Sequence, residues 1–120
     1  PIKIRGTKYL RPINYKELKG SAQVKSCIML AALNTPGTTK IKCVPSRDHT
    51  ERLFKHLKLK IKIKQNHKYQ IIHIEGGKQY DALNYNIPGD ISSASFFIVL
   101  TLLSKNSKLI LPTKFLNYWY

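Results

Sequence analysis

Three observations in the sequence predict an α/β fold. Segments in which apolar and polar residues alternate are interleaved with segments whose apolar residues recur at helical spacing. Across residues 10–74 these segments run in the order β-α-β-α-β-β, which implies parallel strands, crossover helices and one hairpin. Turn residues fall at the joints, as in Asn34-Thr35-Pro36-Gly37, Pro45-Ser46 and Pro88-Gly89-Asp90. The chain of 120 residues, 42% of them apolar, suffices for one domain or for a piece of a larger one. A single unit of this kind leaves a sheet edge and a helix face in need of neighbours.

Residues 1–5 read as a short strand, with Ile2 and Ile4 on one face and Gly6 ending it. Residues 10–18 are extended and interrupted by Pro12. Gly20-Ser21 opens a helix, because Ser is a good N-cap and Val24, Cys27, Ile28, Ala31 and Ala32 follow as its apolar stripe. Asn34-Thr35-Pro36-Gly37 stops that helix. Residues 38–44 set Thr39, Ile41 and Cys43 against Lys40, Lys42 and Val44, a strand pattern. Pro45-Ser46 turns into a second helix, with Leu53, Phe54 and Leu57 as its buried stripe. Either Ser46 or Asp48 caps it, and Asp48 with Glu51 has capping-box spacing. Residues 59–64 and 69–74 are alternating strands joined by Gln65-Asn66-His67-Lys68, a hairpin-length link. Glu75-Gly76-Gly77 is a turn, residues 85–87 are briefly extended, a helix spans about 92–103, and residues 108–111 form a last strand.

Charge is the most conspicuous bulk property: 21 Lys+Arg against 6 Asp+Glu, a net charge of +15. A balance of that size invites a nucleic-acid partner. Against it, 17 of the cations are Lys and 4 are Arg, whereas bidentate phosphate and base contacts favour Arg. Many lysines alternate with apolar residues, as in Leu59-Lys60-Ile61-Lys62-Ile63-Lys64, which is the pattern of a strand's solvent face. No apolar run approaches the ~20 residues of a membrane helix. No secretory signal is visible, and the first residue is Pro, so the numbered chain is expected to start inside a longer reading frame or after processing. Cys27 and Cys43 sit in apolar segments without CxxC or clustered His, and read as small buried hydrophobes in a reducing compartment.

The two helix starts are the places where chemistry is expected. Each offers unpaired backbone N–H groups, a hydroxyl and the positive end of a helix dipole, which together suit an anion. Arg47 adds a fork of donors matched to a phosphate or carboxylate. In successive β-α-β units the helix starts lie at one edge of the sheet, so both can face one ligand. Plain capping is the simpler alternative. His49 reads as a first-turn residue or a general base, and His56, His67 and His73 have no partner in spacing. Gly76-Gly77 links strands and lacks the following helix of a phosphate loop. Asp90 reads as a cap, and Tyr118-Trp119-Tyr120 as an irregular end rather than a base-stacking platform.

Three stretches together resemble the 5-enolpyruvylshikimate-3-phosphate (EPSP) synthase family. They are Ser21-Ala22-Gln23-Val24-Lys25-Ser26, Ser46-Arg47-Asp48-His49-Thr50-Glu51-Arg52 and Pro88-Gly89-Asp90-Ile91-Ser92-Ser93-Ala94, with Asn34-Thr35-Pro36-Gly37 fitting the same pattern. Their order and spacing over residues 1–112 make the likeness specific. The sister family that transfers enolpyruvate to a UDP-sugar, UDP-N-acetylglucosamine enolpyruvyl transferase, resembles these stretches much less.

The resemblance implies a β-α-β-α-β-β repeat unit of the enolpyruvyl transferase fold, an incomplete domain. Residues 1–87 would be one repeat unit of the N-terminal-side domain, 88–112 a crossover helix and strand beginning the second domain, and 113–120 a divergent tail. The family transfers the enolpyruvyl group of phosphoenolpyruvate to the 5-hydroxyl of shikimate 3-phosphate on the way to chorismate, in the bacterial cytoplasm. The resemblance implies no cofactor and no metal, no nucleic-acid or membrane partner, and a monomeric parent enzyme. Ser21, Ala22, Gln23, Ser46 and Arg47 would bind shikimate 3-phosphate, and Gln23 would also reach phosphoenolpyruvate. No catalytic residue is expected within these 120 residues. The family's N-terminal Lys-Ser…Arg segment, its glycine-rich phosphoenolpyruvate segment and its proton-transfer Asp and Glu are absent, and Pro112-Thr113-Lys114-Phe115-Leu116-Asn117-Tyr118-Trp119-Tyr120 departs from the family pattern.

Overall fold

A computed structural model describes residues 1–82, 84–85 and 89–111. The chain divides into two compact units, Pro1–Ala82 and Leu83–Tyr120. The first unit contains β1 (Asn14–Glu17), α1 (Ala22–Leu33), β2 (Gly37–Cys43), α2 (His49–His56), β3 (Ile61–Gln65) and β4 (Gln70–Gly76). Its four strands form one sheet in the order β1-β2-β4-β3. β1 and β2 are parallel, with Tyr15 opposite Ile41 and Glu17 opposite Cys43, and α1 is their crossover. β4 lies between β2 and β3 and is antiparallel to both, with Ile72 opposite Ile41 on one side and Ile63 on the other. β3 therefore runs in the direction of β2, and α2 connects them across the width of one strand.

Alternation decides which face of the sheet is covered. Thr39, Ile41 and Cys43 of β2 and Gln70, Ile72 and Ile74 of β4 are buried, and they pack with Met29 and Ala32 of α1 and Phe54 of α2. The opposite face carries Lys40 and Lys42 of β2, Lys62 and Lys64 of β3 and, by register, Lys16 of β1. The ammonium of Lys42 stands 4.3 Å from the ring centre of Tyr69. These lysines share one face, as an amphipathic sheet with one wet side requires.

Two glycines fix how α1 sits on the sheet. A Cβ on Gly76 would lie 1.8 Å from the Ala32 carbonyl oxygen and 2.6 Å from that of Thr35, so the end of α1 rests directly on β4 backbone. Gly77 follows at φ +76°, and its N–H donates to the Leu33 carbonyl at 2.8 Å. The Tyr80 hydroxyl donates to the same carbonyl at 3.0 Å, and the Thr35 hydroxyl closes on Ala31 at 3.0 Å. The β3–β4 hairpin is held by Asn66, whose side-chain oxygen accepts from the N–H groups of Lys68 and Tyr69 at 3.0 and 2.7 Å.

Several expectations need correction. Residues 1–5 form no strand: Ile2 and Ile4 are 94% and 88% exposed, and alternation without a neighbouring strand provides no ladder to hold it. The buried face of α1 is Lys25, Met29 and Ala32, so Val24 and Cys27 are exposed, and only Cys43 is a buried cysteine. Along α2 the buried residues are Glu51 and Phe54, while Leu53 faces water. The second helix begins at His49, so Ser46 is not its cap, and Asp48, which occupies the N-cap position, makes no side-chain capping bond.

In the second unit, α3 (Ile91–Leu103) begins one residue earlier than expected, and Asp90 caps it. The Asp90 carboxylate accepts from the Ser92 N–H and from the hydroxyls of Ser92 and Ser93. The two hydroxyls and the backbone N–H groups pull its pKa down to about 2. No residue of α3 is buried, and Phe96, Leu102 and Leu103 are each mostly exposed. Residues 108–111 pair with no strand among the described residues, so the last expected strand is not formed there. Most of the extended stretch expected at 85–87, and the tail at 113–120, lie outside the described residues.

Candidate substrate-binding site at the paired helix starts

Parallel strands end at the same edge of a sheet, so the segments leaving β1 and β2 emerge together. The Val44 N–H donates to the Glu17 carbonyl at 3.2 Å, joining the two exits. Glu17, buried on β1, folds the first exit around its carboxylate. Its two oxygens accept from the N–H groups of Lys19 and Gly20, each at 2.8 Å. Burial pushes this carboxyl up, but the backbone N–H groups of Lys19, Ser21 and Gly20 more than reverse that, leaving it below the usual carboxylate range. Gly20 turns at φ +72°, a conformation open to Gly at no steric cost, and a Cβ there would reach Val44 Cγ1 at 3.6 Å.

Ser21 then caps α1. Its Oγ accepts from the Val24 N–H at 3.2 Å and its carbonyl accepts from the Lys25 N–H at 3.1 Å. The hydroxyl hydrogen remains to donate outward. Ala22 and Gln23 stand in the first turn, where N–H groups have no intrahelical acceptor and the helix dipole favours an anion. Ser21 and Ala22 are half-buried, and Gln23 is exposed.

The second exit runs Val44-Pro45-Ser46-Arg47-Asp48 into α2. The Ser46 Oγ is buried and makes no hydrogen bond, so its donor is unspent. Arg47 is exposed. Asp48 is turned to Arg52, whose Nε donates to Oδ2 at 2.9 Å. Burial raises the Asp48 carboxyl, and the Arg52 contact outweighs it, so the group lies below its ordinary value.

Three contacts between α1 and the second exit tie the two together. The Lys25 Nζ lies 2.6 Å from Glu51 Oε1, and both side chains are almost completely buried. The same Nζ donates to the Arg47 carbonyl at 2.9 Å. One helical step away, the hydroxyls of Ser26 and Thr50 are 2.7 Å apart. The segments carrying Ser21, Ala22 and Gln23 and those carrying Ser46 and Arg47 are thus brought side by side. Hydroxyls, N–H groups and a guanidinium are donor types that suit a phosphate, which makes these segments the candidate site. A shallow hollow bordered by Pro45, Gln65, Asn66 and His67 adjoins the second exit and includes none of the five expected residues.

Sequence reasoning gave no role to Glu17, read Glu51 as a capping-box partner of Asp48, and quoted Lys25, Ser26 and Thr50 within motifs without the contacts that they make. A signal was present for one pair: Lys25 keeps helical phase with Met29 and Ala32, and Glu51 precedes Phe54 by one turn, so both charges lie on buried stripes. Among the described residues no group of three His, Cys, Asp or Glu side chains is placed to hold a metal ion, and no helix is long and apolar enough to cross a membrane.

Comparison with known proteins gives one answer. The family model for EPSP synthase (3-phosphoshikimate 1-carboxyvinyltransferase) matches residues 1–117. The 3-phosphoshikimate 1-carboxyvinyltransferase of Vesicomyosocius okutanii is 45% identical over 112 residues, covering 92% of this chain and 25% of the relative. That of Petrotoga mobilis is 44% identical over 119 residues, covering 98% and 27%. A solved structure of EPSP synthase from Acinetobacter baumannii superposes with a TM-score of 0.54 at 39% identity, over 77% of this chain and 20% of that one. The chain spans about a quarter of the length of the curated relatives it matches. With the family model matched over nearly the whole chain and a solved member superposing on most of it, the chain belongs to the EPSP synthase family.

Proposed function

We propose that this chain is a segment of an enzyme that transfers the enolpyruvyl group of phosphoenolpyruvate to the 5-hydroxyl of shikimate 3-phosphate, yielding 5-enolpyruvylshikimate 3-phosphate and phosphate. The segment's share is the phosphate end of shikimate 3-phosphate. Ser21, Ala22 and Gln23 bind it from the start of α1 and Ser46 and Arg47 from the loop that leads into α2, with Gln23 also reaching phosphoenolpyruvate. The observation that carries the reading is the pairing of the two exits through Lys25 and the Ser26–Thr50 contact, with the Ser46 Oγ of the second exit buried and its donor unspent. Residues 1–87 act as one repeat unit of the first domain and 88–112 begin the second. The reaction needs no cofactor, and the parent enzyme works as a monomer in the cytoplasm.

Calorimetric titration of the chain with shikimate 3-phosphate tests this. Arg47→Ala is expected to weaken binding by about tenfold, the low end for a charge-assisted contact because Arg47 is exposed and solvent screens it. Binding of phosphoenolpyruvate should change much less. Equal weakening of both ligands, or no change for either, refutes the role given to Arg47.

A further inference from the structure

We infer that Lys25 and Glu51 are positioning residues that set the second exit against the first, so that phosphate affinity depends on a pair that touches no substrate. The inference rests on the function proposed above. Lys25 serves both exits at once. Its backbone N–H closes the first turn of α1 onto the Ser21 carbonyl at 3.1 Å. Its Nζ holds the carbonyl of Arg47 at 2.9 Å and the carboxylate of Glu51 at 2.6 Å. It therefore grips the segment from Arg47 to Glu51 at both ends, and the Ser26–Thr50 contact lies beside the grip.

The chemistry of the pair argues against a role in stability alone. Lys25 is 0% and Glu51 2% exposed, so both charges have left water. Among the described residues Glu51's oxygens make no directed hydrogen bond, and the ammonium of Lys25 is their one charged neighbour. Buried ion pairs with so few supporting bonds are replaced by apolar side chains with little loss, or with a gain. What an apolar pair cannot reproduce is the donated bond to the Arg47 carbonyl. That bond fixes the peptide between Arg47 and Asp48, and with it the direction in which Arg47 and Ser46 present their donors.

The test uses the whole 120-residue chain, labelled with ¹⁵N, as wild type and as the double variant Lys25→Met/Glu51→Leu. The double variant is expected to stay folded with a urea midpoint at or modestly below that of wild type, to shift the Arg47 and Asp48 amide resonances without ligand, and to bind shikimate 3-phosphate about tenfold more weakly, the scale of one lost aligned charge-assisted contact. Unchanged Arg47 and Asp48 resonances together with unchanged affinity overturn the inference. Should the double variant not fold, amide exchange in the wild type decides. The pair predicts equal protection for Arg52 in the first turn of α2 and Met29 in α1, and much weaker protection at Arg52 overturns it. A wild-type chain that binds no shikimate 3-phosphate refutes the proposed function instead, while the ligand-free resonances still report on the pair.

Discussion

Replacing Gly76 with Ala adds one methyl group where the structure has no room for it. Gly76 ends β4 and does not have a positive φ, so the strain is one of space and not of backbone conformation. The new Cβ would lie 1.8 Å from the Ala32 carbonyl oxygen and 2.9 Å from its carbon, both backbone atoms that cannot rotate away. Ordinary contact begins near 3.4 Å, so α1 and β4 must part by roughly 1.5 Å. That movement breaks into the bonds sealing the end of α1: Gly77 N–H and Tyr80 O–H to the Leu33 carbonyl, at 2.8 and 3.0 Å. Overpacking costs about 1–3 kcal/mol, and each hydrogen bond lost adds about 1 kcal/mol, giving ~3–5 kcal/mol in all. Against a total stability of roughly 5–15 kcal/mol, this leaves the variant marginal or unfolded at 25 °C. Urea unfolding followed by circular dichroism measures it. Gly6→Ala is the control, since nothing lies within 4 Å of its Cβ, and it should change stability by less than about 0.5 kcal/mol. A loss below about 1 kcal/mol for Gly76→Ala would show that α1 does not rest on β4 as described.

Other outcomes follow from the same structure. Phe54→Ala, at a position 1% exposed, should destabilise the first unit by about 3–5 kcal/mol in the same urea assay. Asp90 has a folded pKa pulled below its unfolded value, to about 2, so its cap is in place above the usual Asp range and is lost as pH falls through about 2. The Asp90 carbon shifts and the helicity of α3 between pH 5 and pH 1.5 should report that loss, which Asp90→Ala should abolish. The lysine-rich sheet face should hold duplex DNA only weakly, with anisotropy-detected binding gone at 150 mM salt. Sequence-selective binding that survives physiological salt would contradict the substrate-binding reading. The 120-residue chain alone should release no phosphate from phosphoenolpyruvate plus shikimate 3-phosphate above a heat-treated control, because catalysis needs acid/base groups set on both sides of the substrate.

Much of the fold was legible because local patterns and packing agree. Thr39, Ile41 and Cys43 alternate and are buried, Ser21 caps the helix it was expected to cap, and Gln65-Asn66-His67-Lys68 joins an antiparallel pair. Where long-range contacts decide, the sequence was silent. Nothing local places β4 between β2 and β3, and nothing marks residues 1–5 or 108–111 as lacking a strand to pair with. The phase of α1 was misread because its innermost residue is a lysine. Hydropathy sends Lys25 outward and Cys27 inward, whereas a carboxylate from α2 makes the reverse arrangement workable. The five candidate site residues were found by capping chemistry and family likeness, which mark each exit separately. The link between the exits lies in side chains 26 positions apart, Lys25 and Glu51, and no spacing rule connects them.

The central claim is that the paired helix starts receive the phosphate of shikimate 3-phosphate. Its most direct test is a ¹H–¹⁵N titration of the chain with shikimate 3-phosphate, using shikimate, which lacks the phosphate, as the comparison. Saturable shifts should concentrate at Gly20, Ser21, Ala22, Gln23, Ser46 and Arg47, with shikimate producing far smaller ones. Shifts centred on Lys40, Lys42, Lys62 and Lys64, or equal responses to both compounds, would contradict it.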